Sequence, residues 1–306
     1  MCICVHPWLR FLLLKTIHKD LVGGVVILTV VCAAVGWGSG GSAWGLEVRM
    51  VRDGKADQTE AWAIVPKKDK PLPIVIFFHG SGGSLHGSAR NLRGFVELGM
   101  TGVGMEYSQR SQAEFDAQFS DLLAWLKRQS WVNAEKIIWV GFSLGSQRML
   151  SYLVTHPADK PAFLVRVAGG MVPELKEDAG GEGGTVANRA LQAGTSKSEA
   201  PSPRPSPPVG ARENQRWASG MPVWLLHGEH DRVFSLEDVR KVKGWLEAAG
   251  ATVELEVLEG QKHAFKEDRG MVMRHVAERC AEFVLPTKGE VFNHELVATK
   301  LNSGGE

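Results

Sequence analysis

The sequence predicts an α/β domain built on a mostly parallel sheet of eight strands, with antiparallel strands at its N-terminal side. Two observations lead to this prediction. Six short apolar runs that end in glycine or polar residues alternate with helical patterns, which is the order of strand, helix and strand crossovers. Before these runs, two stretches alternate apolar and polar residues on either side of a turn, as antiparallel strands do.

The two antiparallel strands are predicted in "LEVRM" and "EAWAIV", joined by a turn around Asp53 and Gly54. The apolarity of the six later runs is continuous, which is typical of strands that helices cover on both faces. These runs are 73–80, 102–107, 136–142, 162–170, 222–228 and 252–260.

Helical spacing of apolar residues separates several of the predicted strands. Ser111 and Glu114 have the S-x-x-E pattern of a capping box and precede one such helix. Ser235 and Asp238 form a weaker cap before another, which Gly250 is placed to end. A third helical pattern follows Ser143 directly. Because parallel strands are joined by these helices, functional residues are expected at the carboxyl ends of the strands.

The first 45 residues have the order of a secretory leader. Three basic residues, Arg10, Lys15 and Lys19, precede or border a mostly apolar stretch at 21–36, and small residues follow it. We predict a signal peptide cleaved after Ala43 or Gly45, and therefore an exported protein without stable membrane association. An uncleaved leader would instead act as an N-terminal membrane anchor.

Composition excludes some partners and cross-links. The chain has 35 basic and 34 acidic side chains and no continuous run of Lys and Arg, so nucleic acid is not an expected partner. Removal of the leader would leave Cys280 as the one cysteine, which excludes an intramolecular disulfide and a thiolate zinc cluster. Nothing in the sequence determines the oligomeric state.

The predicted α/β domain spans 46–285 and contains one segment of different composition. Glycine, proline and serine dominate residues 174–220, which favours a flexible insertion that adds nothing to the core. Within it, 178–211 is predicted to be disordered. Residues 286–306 are predicted to form a loosely held C-terminal tail.

The segment "GFSLG" places Ser143 between two glycines. A G-x-S-x-G pattern is a weak signal by itself, since a strand-to-helix turn also favours small residues for close packing. Its context is more specific, because a strongly apolar strand precedes it and a helical pattern follows. A strand, a tight turn and a helix form the elbow that exposes a nucleophilic serine above a sheet. We therefore predict Ser143 as the nucleophile.

A serine nucleophile needs a base and an orienting acid, and two later strand ends supply candidates. Asp231 follows the strand at 222–228, and His263 follows the strand at 252–260. The chain order Ser, Asp, His is that of elbow hydrolases. The alternatives are that Asp231 only stabilises a turn or that His263 is a surface residue. Rival groups are also present: Glu229 and Asp238 as acids, and His230 as a base.

The glycine-rich segment "HGSGGS" at 79–84 follows another strand end. A flexible loop of this kind lets backbone N–H groups approach a developing oxyanion, and we assign its two donors to Ser81 and Leu144. A phosphate loop is not indicated, because the G-K-[ST] ending is missing. A metal site at His227, His230 and Asp231 is not favoured, because these residues lie in one short segment and the third, spaced ligand of a metal site is missing. Neither a metal nor another cofactor is therefore expected.

On "HGSGG", "GFSLG", "HGEHDRV" and "GQKHAF", the chain resembles the α/β-hydrolase superfamily over 46–285. Within it, the chain is similar to dienelactone-hydrolase-like and prolyl-oligopeptidase-like serine hydrolases. The resemblance implies a three-layer α/β-hydrolase fold and catalysis by Ser143, Asp231 and His263. The dienelactone hydrolases use a cysteine nucleophile, whereas this chain has serine, which favours general ester chemistry over lactone hydrolysis.

The sequence thus predicts a serine hydrolase that cleaves small carboxylic esters through an acyl-enzyme. Two alternatives remain. The same residues also cleave amides, so a peptidase acting on small peptides is possible. A noncatalytic binding protein on a hydrolase scaffold is the other, although such a protein has no physical need of a serine, an acid and a histidine together.

Overall fold

The structure is a computed structural model that describes residues 19–22, 25–28, 46–51, 59–66, 68, 70–108, 110–170, 216–266 and 268–285. Its strands are β1 (Lys19–Val22), β2 (Val25–Leu28), β3 (Leu46–Val51), β4 (Thr59–Val65), β5 (Leu72–Phe78), β6 (Thr101–Met105), β7 (Val132–Phe142), β8 (Phe163–Val167), β9 (Pro222–Gly228) and β10 (Thr252–Leu258). Its α-helices are α1 (Ala89–Glu97), α2 (Gln112–Lys127), α3 (Leu144–Thr155), α4 (Leu236–Ala248) and α5 (Arg269–Val284).

Eight of these strands form one sheet in the order β10-β9-β8-β7-β5-β6-β4-β3. Neighbouring strands from β10 to β6 are parallel, whereas β4 runs antiparallel to both β6 and β3. The prediction of a mostly parallel eight-stranded sheet with antiparallel N-terminal strands is therefore confirmed. Strands β1 and β2 pair separately as a short antiparallel hairpin.

Helices cover both faces of the sheet, which makes three layers. On β5, Ile74, Ile76 and Phe78 pack into one apolar cluster with α2, α3 and α4. The residues between them, Val75 and Phe77, pack into a second cluster with α1 and α5. Alternate side chains of a strand point to opposite faces, so a continuous apolar run is what a strand with two covered faces requires.

The capping boxes predicted for α2 and α4 are both present. The hydroxyl of Ser111 accepts the Glu114 N–H, and the Glu114 carboxylate accepts the Ser111 N–H in return. Ser235 and Asp238 make the same two bonds at the start of α4. Each pair satisfies backbone N–H groups that lack an acceptor within the helix.

The prediction that every strand is covered on both faces was wrong for β10. This strand lies at the edge of the sheet, and Val257 within it is 38% exposed. Its sequence alternates apolar residues with acidic ones, and Glu254 and Glu256 pair with Arg279 and His275 of α5. An edge strand with charged side chains resists pairing with other chains.

Most of the predicted leader, the segment 178–211 and the tail 286–306 lie outside the described residues. The prediction that the insertion 174–220 adds nothing to the core was wrong for its last residues, because the described part of it, 216–220, includes apolar side chains that pack against the core. Ala218 is fully buried, and the ring of Trp217 lies 5.4 Å from that of Trp245. Among the helices in the described ranges, none has both the length and the apolar character that crossing a membrane requires.

Candidate active site

Ser143 occupies the junction between β7 and α3, at the carboxyl edge of the sheet. Its backbone has φ 51° and ψ −114°, a conformation that non-glycine residues rarely adopt. Its N–H donates to the Val167 carbonyl at the end of β8, at 2.9 Å. The serine thus stands on a strained elbow that the neighbouring strand holds in place, as the sequence predicts.

The two glycines around Ser143 are required by the close approach of other backbone segments. A Cβ on Gly141 would lie 2.6 Å from the Ser146 nitrogen in the first turn of α3. A Cβ on Gly145 would lie 2.7 Å from the His79 carbonyl oxygen. Both distances are shorter than van der Waals contact, so side chains at these positions would push the elbow away from the sheet.

The structure brings Ser143 and His263 together, although 120 residues separate them in the chain. His263 lies in the loop between β10 and α5, and its Nε2 is 2.8 Å from the Ser143 hydroxyl oxygen. The Ser143 side chain is almost buried, whereas that of His263 is 20% exposed. A base in this position is within reach of the serine proton.

Asp231 completes a hydrogen-bonded chain of three side chains. Its Oδ2 is 2.7 Å from Nδ1 of His263. Since a carboxylate only accepts, Nδ1 carries the proton and Nε2 is left to accept from Ser143. The other oxygen, Oδ1, accepts the N–H groups of Val233 and Phe234 at 2.7 and 3.0 Å. Burial alone would raise the pKa of Asp231, but the bonds from His263 and the two amides hold the pKa below its ordinary value.

The rival residues have other partners. Glu229 accepts the N–H of Gly260 at 2.9 Å, and Asp238 caps α4. The side chain of His230 is 62% exposed and lies 4.0 Å from Glu229. Within the described ranges, no three His, Cys, Asp or Glu side chains are grouped closely enough to hold a metal ion.

Backbone hydrogen bonds join the loop that carries Asp231 to the loop that carries His263. The Glu229 N–H donates to the Leu258 carbonyl at 2.9 Å, and the His230 N–H donates to the Gln261 carbonyl at 2.8 Å. These bonds extend the β9–β10 ladder beyond the strands. The acid and the histidine are therefore positioned by one continuous piece of paired backbone.

The two predicted oxyanion donors lie at the same edge of the sheet. Leu144 is the first residue of α3, so its N–H has no acceptor within the helix. Ser81 lies in the turn that follows β5, which the Gly83 N–H closes by donating to the Gly80 carbonyl at 3.0 Å. The backbone of Gly80 lies against the Phe142 ring, since a Cβ there would be 2.8 Å from Cδ1 of that ring. The turn therefore lies beside the elbow.

Two residues of the β6 end, which sequence analysis did not identify, anchor this glycine-rich turn. The Tyr107 hydroxyl donates to the His79 carbonyl, and its ring stacks on the His79 ring at 4.4 Å. Glu106 accepts the Leu85 N–H at 2.8 Å. Burial raises the pKa of Glu106, but hydrogen bonds from Leu85 and Ser108 outweigh this effect and lower it. No local pattern marks these two residues, because their partners belong to a different strand end.

His227 and Phe234 are further site residues whose present positions the sequence did not indicate. The Phe234 ring packs edge-on against His263, with centroids 5.5 Å apart. His227 is 1% exposed and lies beneath the loop of Asp231. The sequence suggested His227 only as part of a disfavoured metal site. Its position near Phe234 and Asp231 depends on how the loop between β9 and α4 folds, which the sequence pattern does not show.

Comparisons with known proteins agree with this architecture. The sequence model of the prolyl oligopeptidase family matches residues 91–289. No curated protein matches the chain. Solved structures similar to it include Est1E from Butyrivibrio proteoclasticus, with a TM-score of 0.50 and 16% identity over 74% of this chain and 94% of that one.

Two further structures of similar fold come from other sources. MGS-M1, an alpha/beta hydrolase enzyme from a Medee basin deep-sea metagenome library, has a TM-score of 0.51 and 16% identity over 79% of this chain and 93% of its own. A hyperthermophilic esterase from the archaeon Pyrobaculum calidifontis has a TM-score of 0.52 and 14% identity over 76% and 84%. At these identities the likeness establishes the three-layer α/β-hydrolase fold.

Proposed function

Because the chain belongs to the prolyl oligopeptidase family, whose members are serine hydrolases, we propose that it cleaves small carboxylic esters through an acyl-enzyme. The observation that carries this proposal is the hydrogen-bonded series from Ser143 through His263 to the buried carboxylate of Asp231. A serine hydroxyl is a poor nucleophile at neutral pH, and this arrangement provides the base that activates it.

In the first step, Oγ of Ser143 attacks the ester carbonyl carbon while its proton passes to Nε2 of His263. The carbonyl π electrons move to oxygen and form a tetrahedral oxyanion. Asp231 holds the ring by its Nδ1–H and stabilises the imidazolium that forms. When the oxyanion collapses, the C–O bond to the alcohol breaks and Nε2 returns the proton to the departing oxygen.

In the second step, water attacks the acyl-enzyme and gives its proton to the same nitrogen. The second oxyanion collapses, the bond to Oγ breaks, and Ser143 regains its proton from His263. We assign the two oxyanion donors to the N–H groups of Ser81 and Leu144. In support, the Leu144 N–H lies at a helix N-terminus, and that of Ser81 lies in the adjoining glycine-rich turn.

An ester is the preferred substrate class for two reasons. Neighbours of similar fold include an esterase, and Ser143 replaces the cysteine that dienelactone hydrolases use. The family match favours a second candidate function, hydrolysis of small peptides by the same residues, since the family is named for an oligopeptidase. The two candidates differ in the leaving group that His263 must protonate, an alcohol or an amine.

The test is a substrate panel together with active-site labelling. p-Nitrophenyl esters of increasing acyl length and peptidyl p-nitroanilides are compared by kcat/KM, and a fluorophosphonate probe reports the nucleophile. We expect ester turnover, labelling at Ser143, and a loss of about 10³-fold or more in Ser143→Ala. Asp231→Asn is expected to lose less activity than His263→Ala, because a poorly oriented base still accepts protons.

Each result assigns the chain to one function. Faster cleavage of the anilides would favour the peptidase. Absence of both turnover and labelling in a folded protein would favour a binding protein on a hydrolase scaffold. Ester turnover that persists in folded Ser143→Ala would eliminate Ser143 as the nucleophile.

A further inference from the structure

A second histidine lies directly behind the proposed acid. His227 is the penultimate residue of β9, and its side chain is 1% exposed. Its Nε2 is 3.0 Å from the carbonyl oxygen of Phe234, which lies seven residues further along the chain. The same nitrogen is 3.6 Å from Oδ2 of Asp231, the oxygen bonded to His263. Nε2 of His227 therefore faces both the Phe234 carbonyl, in the loop that carries Asp231, and the Asp231 carboxylate.

The partners of this ring determine its tautomer. A backbone carbonyl only accepts hydrogen bonds, so Nε2 of His227 carries the proton. Burial lowers the pKa of His227, although the nearby Asp231 carboxylate opposes this effect, and the ring is therefore neutral at physiological pH. Its other nitrogen, Nδ1, is buried without a hydrogen-bond partner among the described residues. Nε2 is therefore the ring nitrogen that binds the loop of Asp231, through the Phe234 carbonyl.

The bond from His227 reaches the peptide groups that orient Asp231. Phe234 donates its N–H to Oδ1 of Asp231, and its carbonyl accepts from His227. The His227 ring is thus bonded to Phe234, the residue whose N–H binds Oδ1 of Asp231, while Oδ2 accepts from His263. It also fixes the Phe234 side chain, which packs on His263 and on the backbone of Gly170, where a Cβ would lie 2.8 Å from Cγ of Phe234.

We propose that His227 is a positioning residue, which acts through Phe234 to hold Asp231 and His263 in the geometry that activates Ser143. The assignment of a catalytic effect rests on the proposed function. The structural part of the proposal does not rest on it, because the bond from His227 positions the Asp231–His263 hydrogen bond whether or not an ester is the substrate.

The identity of the bonded nitrogen allows a matched pair of variants. In His227→Gln, the amide nitrogen reaches about as far along the side chain as Nε2 and can donate to Phe234. In His227→Asn, the amide nitrogen lies near the position of Nδ1, which has no hydrogen-bond partner among the described residues, so it cannot donate to the Phe234 carbonyl. We expect the Gln variant to retain kcat within about threefold, and the Asn variant to lose about 10- to 100-fold in kcat with KM nearly unchanged.

A second measurement does not depend on turnover. The Nδ1 proton of His263, bonded to Asp231, should give a proton NMR signal downfield of the amide region in the full chain. We expect this signal in the wild type and in His227→Gln, and its loss or a clear shift in His227→Asn, with unfolding transitions of the two variants measured as a control for folding.

The outcomes separate the two proposals. If the wild type hydrolyses no ester but the NMR signal follows the Gln and Asn pattern, the proposed function fails and the role of His227 stands. If Gln and Asn behave alike in both measurements, or if the wild type gives no downfield signal, the role of His227 is overturned. Equal losses in kcat for both variants, with the signal unchanged, would overturn it as well.

Discussion

Gly145, the second residue of α3, lies against the carbonyl oxygen of Phe78 at the end of β5, with no room for a side-chain carbon between them. The helix that follows the proposed nucleophile is therefore seated directly on the strand that leads into the glycine-rich turn. This contact sets the distance between Ser143 and the proposed donor at Ser81. The geometry of the site thus depends on a position that carries no functional group.

We expect Gly145→Ala to displace the elbow. Overpacking of this kind costs about 1–3 kcal/mol of unfolding free energy, and a displacement near 1 Å lowers kcat by about 100-fold. Gly94→Ala in α1 is the matched control, because nothing lies within 4 Å of a Cβ there. That variant should gain about 0.5–1 kcal/mol and keep its activity. Urea unfolding and ester turnover of both variants test this, and normal turnover in Gly145→Ala would contradict it.

Asp231 should contribute to the loss of stability in acid. Its pKa in the folded protein is lowered, whereas in the unfolded chain it lies near 3.9. The carboxylate therefore stabilises the fold fully above about pH 5, and this contribution disappears as the pH falls through the folded pKa. Urea unfolding at pH 6 to 3 should give a smaller pH dependence in Asp231→Asn than in the wild type. Parallel curves for the two proteins would refute the assignment.

Cys280 should be unreactive in the folded protein. It lies in α5 with no exposed surface, and burial raises the pKa of its thiol well above the ordinary value. Iodoacetamide should label the peptide containing Cys280 only when the protein is unfolded, with peptide mapping used to separate it from the three cysteines before residue 46. Rapid labelling under native conditions would mean that α5 opens locally.

Replacement of residues 178–211 with a short Gly-Ser linker should leave hydrolysis of small soluble esters within about threefold, a change below roughly 1 kcal/mol. The reason is the composition of the segment, which is poor in large apolar residues. Its described flanks have their own contacts, Gly170 with Phe234 and Trp217 with Trp245. Trp217→Ala is the contrasting variant and should lower stability. Loss of hydrolysis in a folded linker variant would show that the segment supplies pocket residues.

Features that depend on nearby residues could be predicted from the sequence. The capping boxes at Ser111 and Ser235 use partners three residues away, and both are present. Helices α1 and α5 carry no side-chain cap, and the sequence analysis did not delimit them. Strand β7 begins at Val132, before its apolar run, because backbone pairing with Leu72 extends it through polar residues.

For the candidate site, the order of strand ends was enough to predict three side chains that the structure brings together, but not the residues that hold them in position. Ser143, Asp231 and His263 could be predicted because each follows an apolar strand, and parallel strands end at one edge. Tyr107 and His227 could not, because their roles depend on bonds to carbonyl oxygens, which every residue has. A hydrogen bond to a backbone carbonyl requires no particular residue type at the acceptor, so the sequence does not indicate it.

The late position of β10 and His263 in the chain also determines when the site can be assembled during synthesis. Ser143 follows the central strand β7, whereas His263 lies in the loop after the edge strand β10 and leaves the ribosome 120 residues later. At about 5–20 residues per second, this interval lasts roughly 6–24 s. Throughout this interval, the proposed base of Ser143 has not yet been synthesised. On the proposed mechanism, docking of β10 and of the loop after it is therefore the event that brings the base to Ser143.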